Sequence, residues 1–137
     1  MLRTVLLGSF VPALTLGVLA TPCAAEDAPS HDGHWRGVVT ASIQNTVRLD
    51  ATIDRQRASL HFGEPANCKI VADHLRDADG SSFYRFHPST NGGGFCARLY
   101  PGELMVNTPA PRSIAMAFQR AESRWAGVLK RADSTKE

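Results

Sequence analysis

The chain has 137 residues, of which 43% are hydrophobic and 20% charged, and 15 Lys and Arg against 13 Asp and Glu give it a net charge of +2 at pH 7. This length fits one domain and excludes a two-domain organisation. A nearly neutral chain whose arginines are scattered is not an electrostatic nucleic-acid binder, so we expect no nucleic-acid partner.

The first 25 residues have the pattern of a secretory signal peptide. Arg3 supplies a short positive start, a mainly apolar stretch follows over residues 4–20, and small residues precede an expected cleavage after Ala25. Such a signal predicts a periplasmic or secreted protein without a membrane span after cleavage. Two alternatives are a membrane anchor, for which the apolar stretch is short, and lipidation of Cys23, which the preceding Pro22 disfavours.

The composition of residues 26–33 predicts a flexible acidic leader before the folded domain, which we place at residues 34–132 with a tail at 133–137. The run from His31 to His34 offers two imidazoles and one carboxylate to a metal ion. No third histidine lies close in sequence, so we expect a solvated segment here, with no metal site and no cofactor.

Apolar and polar residues alternate with a period of two along most of the remaining chain, which predicts short β-strands. The clearest case is residues 47–54, where every second residue is apolar. Further runs of this kind cover residues 35–44, 58–62, 68–75, 82–87, 94–100, 103–107, 114–120 and 125–131. Gly, Pro, Asn and Asp between the runs indicate tight turns. One helical turn is conceivable at residues 73–79 and another at 119–124.

About eight short strands with tight connections favour an all-β fold. Short connections favour pairing of consecutive strands, and closure removes the exposed edges that a secreted β-protein must otherwise protect. We therefore predict a small antiparallel up-and-down β-barrel, with a β-sandwich as the alternative.

Loss of the signal leaves two cysteines, Cys68 and Cys96. In a small exported domain two cysteines favour one disulfide, because the compartment is oxidising and a small core gains from a cross-link. A metal-binding or catalytic thiol pair is disfavoured, since the two are 28 positions apart and no histidine lies at ligand spacing.

Short motifs mark the first and the last predicted strand. Gly33-His34-Trp35 forms G-x-W at the first strand, and the last strand ends in Lys130-Arg131. In these residues and in its strand pattern the chain resembles the lipocalins and the wider calycin group. The resemblance implies structural roles for Trp35, which would close one end of the barrel, and for Arg131, which would pack across it.

The chain is much shorter than a lipocalin, and its strands have about six residues. An eight-stranded barrel of that size is filled by its own side chains, which disfavours a large ligand cup. Within the resemblance, the chain is therefore more similar to the small periplasmic barrels that inhibit lysozymes or proteases.

The segment from Phe83 to Glu103 is the predicted binding surface, because it combines aromatic residues, arginines, a cysteine and a glycine-rich tip. If Tyr84 and Phe86 point inward, the residues beside them point outward; if Phe95, Ala97 and Leu99 point inward, Cys96 lies on the outer face. Tyr and Arg are prominent in protein interfaces. The predicted contact residues are Phe83, Arg85, His87, Asn91, Arg98 and Tyr100.

A purely structural interpretation of this segment is the alternative. In it, the disulfide lies opposite the core and joins two strands, while Arg85 and Arg98 pair with nearby acids.

We expect a non-enzymatic binding protein of inhibitor or immunity type, whose partner is an envelope or secreted protein. The sequence contains no G-x-S-x-G elbow, and no spacing forces two carboxylates together, so we predict no catalytic residue. The alternatives are a calycin-type carrier of a small ligand, with its site near Trp35, and an envelope hydrolase.

Overall fold

Most of the chain that this computed structural model describes is β-strand. The described residues are 17, 31–89 and 94–132. Residues 57–62 show why strands form: Ala58, Leu60 and Phe62 are buried, whereas the residues between them are exposed. Successive side chains of an extended strand point to opposite faces, so this alternation buries one face and leaves the other in water.

The described residues form eight strands and one short helix. In chain order they are β1 (Gly33–Ser42), β2 (Asn45–Ile53), β3 (Arg57–Phe62), β4 (Cys68–Ala78), β5 (Ser81–Phe86), α1 (Gly94–Ala97), β6 (Glu103–Ala110), β7 (Ser113–Arg120) and β8 (Ser123–Arg131).

Each strand pairs antiparallel with the next, and β8 returns to pair with β1, which closes the sheet into a barrel. The predicted up-and-down barrel is therefore confirmed, and the alternative of a β-sandwich is wrong. We call the β1–β8 pairing the seam; in it Trp35 lies opposite Arg131 and Thr40 opposite Ala126.

Two glycines allow the strands to approach closely at the seam. A Cβ atom on Gly127 would lie 2.0 Å from the carbonyl oxygen of Val38, and one on Gly37 would lie 2.8 Å from that of Val128. Real Cβ atoms do not approach backbone this closely, so glycine is required at Gly127 for the barrel to close.

Inward-facing side chains fill the barrel. The largest fully buried ones come from all parts of the sheet and include Leu49, Phe62, Phe86, Ile114 and Leu129. These side chains pack the interior of a barrel whose strands have 6 to 11 residues, more than the six or so expected from the sequence.

The barrel has two different ends. The helix end carries the β1–β2, β3–β4, β5–β6 and β7–β8 connections, and α1 lies in the third of these. The terminal end carries the start of β1, the end of β8 and the other three connections. None of the helices among the described residues is long and apolar enough to cross a membrane.

The predicted strand at residues 94–100 is wrong. This segment is α1 followed by a turn, and Cys96 and Leu99 are its buried residues, while Ala97 is exposed. Spacing by three residues places Cys96 and Leu99 on one side of a helical turn, where strand alternation would separate them. The expectation that Cys96 lies on the face opposite the core is therefore also wrong.

The two predicted helical turns are wrong as well. Residues 73–78 continue β4, and residues 119–124 run from β7 through a tight turn into β8. Several expectations fall on residues outside the described part of the chain: the signal peptide at 1–25, most of the leader at 26–33, Asn91 and the tail at 133–137.

Candidate functional site

Two predicted contact residues, Phe83 and Arg85, lie on the outer face of β5, because Tyr84 and Phe86 point into the core. Both are already engaged by neighbouring strands. The guanidinium carbon of Arg76 lies 4.4 Å from the centre of the Phe83 ring. Arg85 lies 3.8 Å from a carboxylate oxygen of Glu103.

Glu103 is the centre of this outer-face cluster. Arg76 donates one hydrogen bond to each of its carboxylate oxygens, both at 3.1 Å. The hydrogen bonds from Arg76 lower the pKa of Glu103, and the charges of Arg76 and Arg85 lower it further. Arg85 thus has an acid beside it, as the structural interpretation of this segment expects.

His87, a third predicted contact residue, follows β5 and is also paired. Its Nε2 atom lies 2.5 Å from Oδ2 of Asp73, whose other oxygen accepts a hydrogen bond from Arg57 at 3.3 Å. The hydrogen bond with His87 is the main cause that lowers the pKa of Asp73. On the barrel wall, His87 is therefore already hydrogen-bonded to Asp73.

The predicted disulfide between Cys68 and Cys96 is confirmed. It joins the start of β4 to α1, and both cysteines are buried, so it is part of the core at the helix end. The bond ties the long β5–β6 connection to the barrel wall.

Phe95 holds α1 from the other side. Its ring centre lies 4.8 Å from that of Phe62 and 5.1 Å from that of Trp125. Arg120 stacks over the same ring at 4.4 Å and donates hydrogen bonds to the carbonyl oxygens of Phe95 and Gly94 at 3.0 and 3.3 Å. These contacts and the disulfide fix the short helix against the helix end of the barrel.

Arg98 and Tyr100 follow directly from this fixed helix, and both are exposed. The side chain of Leu99 between them is buried, which orients its two neighbours outward. Tyr100 is 48% exposed, and in the described part of the chain Arg98 has no ion-pair partner.

Sequence reasoning missed Ile43, which is fully exposed at the β1–β2 turn of the same end. Its place between two polar residues at a hairpin turn was the available signal.

At the terminal end, Trp35 is covered by neighbouring side chains. Arg131 covers one face of the Trp35 ring at 4.7 Å. The indole N–H of Trp35 donates to the carbonyl oxygen of His31 at 2.9 Å, and Nδ1 of His31 lies 2.8 Å from Oγ1 of Thr108. His31 is only 4% exposed, so the chain is part of the barrel from this residue onward.

The two histidines expected in the leader, His31 and His34, have different environments and different partners. His31 is buried, whereas His34 is exposed on β1 and lies 3.0 Å from the hydroxyl of Thr52. Among the described residues no group of three His, Cys, Asp or Glu side chains is placed to hold a metal ion.

An open cleft of about 380 Å³ lies at the helix end, beside α1. Trp125 and Phe95 supply aromatic walls, and Arg120 supplies a charge. Sequence reasoning missed this cleft, because the hairpin, the loop and the helix that enclose it are far apart in the chain. The residues that line it are Gln44, Asn45, Thr46, Val47, Pro65, Ala66, Gly94, Phe95, Arg120 and Trp125.

No protein-family model, no curated protein and no solved structure matches the chain. Its function is therefore inferred from its own geometry.

Proposed function

We propose that this chain is an exported, non-enzymatic binding protein of inhibitor or immunity type, which binds an envelope or secreted protein through its helix end. The observation that carries the proposal is the exposure of Arg98 and Tyr100 on a turn that the disulfide and Phe95 hold in place. Exposed Tyr and Arg side chains on a rigid support are typical of residues that dominate binding energy.

The contact surface in this proposal is narrower than the one expected from the sequence. Residues of the barrel wall already contact Phe83, Arg85 and His87. A partner that bound these side chains would have to break those contacts, which would lower the net free energy of binding. The proposed contact residues are therefore Arg98 and Tyr100, to which we add Ile43. Asn91 stays a prediction.

The filled interior favours a partner that binds the outside of the barrel over a ligand carried within it. A protein partner needs only loops presented by a rigid scaffold. The closed eight-stranded barrel and the stacking of Arg131 on Trp35 support a calycin-like relationship.

Export is part of the proposal. The signal-like pattern of residues 1–25 supports it, and so does a buried disulfide, since such bonds persist in oxidising compartments such as the periplasm.

Native mass spectrometry of residues 26–137, captured gently from the exporting cell together with its envelope and culture proteins, tests the proposal. We expect one co-purifying protein of defined mass. Its affinity should then be measured for Arg98→Ala and Tyr100→Ala, each expected to weaken binding at least about tenfold.

The matched control is Arg55→Ala, which removes another exposed arginine, at the terminal end. Circular dichroism tests whether each variant keeps the fold. Unchanged affinity in both Arg98→Ala and Tyr100→Ala rejects this surface, and the absence of any protein partner rejects the proposed function.

A further inference from the structure

The wall of the cleft at the helix end includes a tryptophan whose indole N–H is closed off from solvent and lacks an acceptor among the described residues. Trp125 lines the cleft and is only 6% exposed, and its indole N–H has no partner in the described part of the chain. By contrast, the indole N–H of Trp35 donates to a carbonyl oxygen. Burying a donor without an acceptor costs free energy, and an acceptor atom of a ligand would recover it.

A positive charge lies in the same cleft. Arg120 donates to two backbone carbonyl oxygens, but none of the described carboxylates forms an ion pair with it. Burial lowers the pKa of Arg120, and the positive charge of Arg98 lowers it further. Arginine stays protonated nonetheless, so this part of the barrel carries a partly buried cation that an anion would stabilise.

The rest of the cleft indicates the body of the ligand. Phe95, Val47, Pro65 and Ala66 give it apolar walls, and the amides of Gln44 and Asn45 lie among its polar lining. A volume of about 380 Å³ suits a small organic molecule.

We propose that this cleft binds a small aromatic carboxylate, whose anionic group pairs with the Arg120 guanidinium. As the ligand enters, one of its acceptor atoms reaches the Trp125 indole N–H, which solvent does not contact in the unliganded chain. The ring of the ligand packs against the apolar walls. None of Arg98, Tyr100 and Ile43 lines the cleft, so the two proposed sites are formed by different residues.

Nuclear magnetic resonance of the ¹⁵N-labelled domain provides a direct readout, because the chain has two tryptophans and hence two indole N–H signals. Trp35→Phe assigns them. Titration with phenylacetate should shift the Trp125 signal saturably, while the Trp35 signal at the opposite end stays in place. Phenylacetamide, a neutral molecule of nearly the same shape, should bind at least about tenfold more weakly because it loses the charge-assisted hydrogen bonds. Phenethylamine, a cation, should not bind.

Arg120→Gln should weaken phenylacetate binding at least about tenfold, and Arg124→Gln, which changes an exposed arginine of the next strand, should leave it unchanged. If Arg120→Gln does not fold, the comparison of phenylacetate with phenylacetamide in the unaltered protein still decides. Equal binding of the two, or no saturable shift of the Trp125 signal, overturns the proposal. Tyr100→Ala should keep phenylacetate binding, so failure of this site and failure of the protein-binding surface are distinguishable.

Discussion

Arg131 lies over the indole ring of Trp35, with its guanidinium carbon 4.7 Å from the ring centre, and the two residues are directly opposite each other in β8 and β1. The same guanidinium donates a hydrogen bond to the carbonyl oxygen of Asp32 at 3.2 Å. One side chain of the last strand thereby covers the terminal end and holds the residues that lead into the first strand.

Arg131→Ala should lower the free energy of unfolding by about 1 to 2 kcal/mol, because it removes a cation–π contact and a hydrogen bond. Urea denaturation followed by fluorescence measures the change. Arg124→Ala, on the same strand, is the control and should have little effect. Equal midpoints for the two variants would show that the stacking does not stabilise the barrel.

Replacement of Cys68 and Cys96 together by alanine should lower the free energy of unfolding by about 3 to 4 kcal/mol, the value for a cross-linked loop of this length. Reduction of the disulfide should likewise lower the melting temperature. A melt that is unchanged after reduction, with two free thiols confirmed by titration, would contradict this expectation.

Gly127→Ala should lower the free energy of unfolding by more than about 2 kcal/mol, because the new methyl group meets the backbone of Val38 and the strands must move apart. Gly94→Ala is the matched control, since outside its own helix and its chain neighbours none of the described atoms lies within 4 Å of the added Cβ atom. Thermal denaturation of both variants provides the comparison, and a Gly127→Ala protein as stable as Gly94→Ala would refute the close approach.

His31 should make stability depend on pH. Burial lowers its pKa, and the charges of Asp77 and Asp32 only partly oppose this. The unfolded chain therefore binds the proton more readily. The stability that neutral His31 provides is fully present above about pH 6.5 and is lost as the pH falls through the lowered pKa of the folded protein.

Denaturant midpoints measured between about pH 7 and 5 test this linkage, because this interval covers the pH range in which histidines ordinarily titrate. His31→Gln should flatten the profile in this interval, whereas His61→Gln, a change at an exposed histidine, should leave the slope as it is. An identical slope in all three proteins would show that His31 does not titrate in this way.

The barrel could be predicted from the sequence because alternation is a local signal. In β2, Val47, Leu49, Ala51 and Ile53 are buried as the pattern requires. The same method failed at residues 94–100, where Cys96 and Leu99 are three positions apart. Over so few residues, strand and helix periods are hard to distinguish, and the packing of Phe95 on the barrel decided between them.

The candidate site was less accessible from sequence. Exposure of Arg98 and Tyr100 was expected, although from a strand and not from a helical turn. The pairing of Arg85 with Glu103 depends on the register of β5 against β6, which no local pattern reveals. The burial of His31 depends on Thr108 and Trp35, so a short polar segment gave no sign of it.

The seam has a consequence for how the barrel folds and unfolds. It pairs the first strand with the last, as at Trp35 and Arg131, whereas every other pairing joins consecutive strands. Closing so long a loop is entropically costly, so consecutive hairpins should assemble first and the seam last. Contacts made after the transition state slow unfolding without accelerating folding. Gly127, Arg131 and their partners should therefore affect the rate of unfolding more than the rate of folding, and so determine how long the folded state persists.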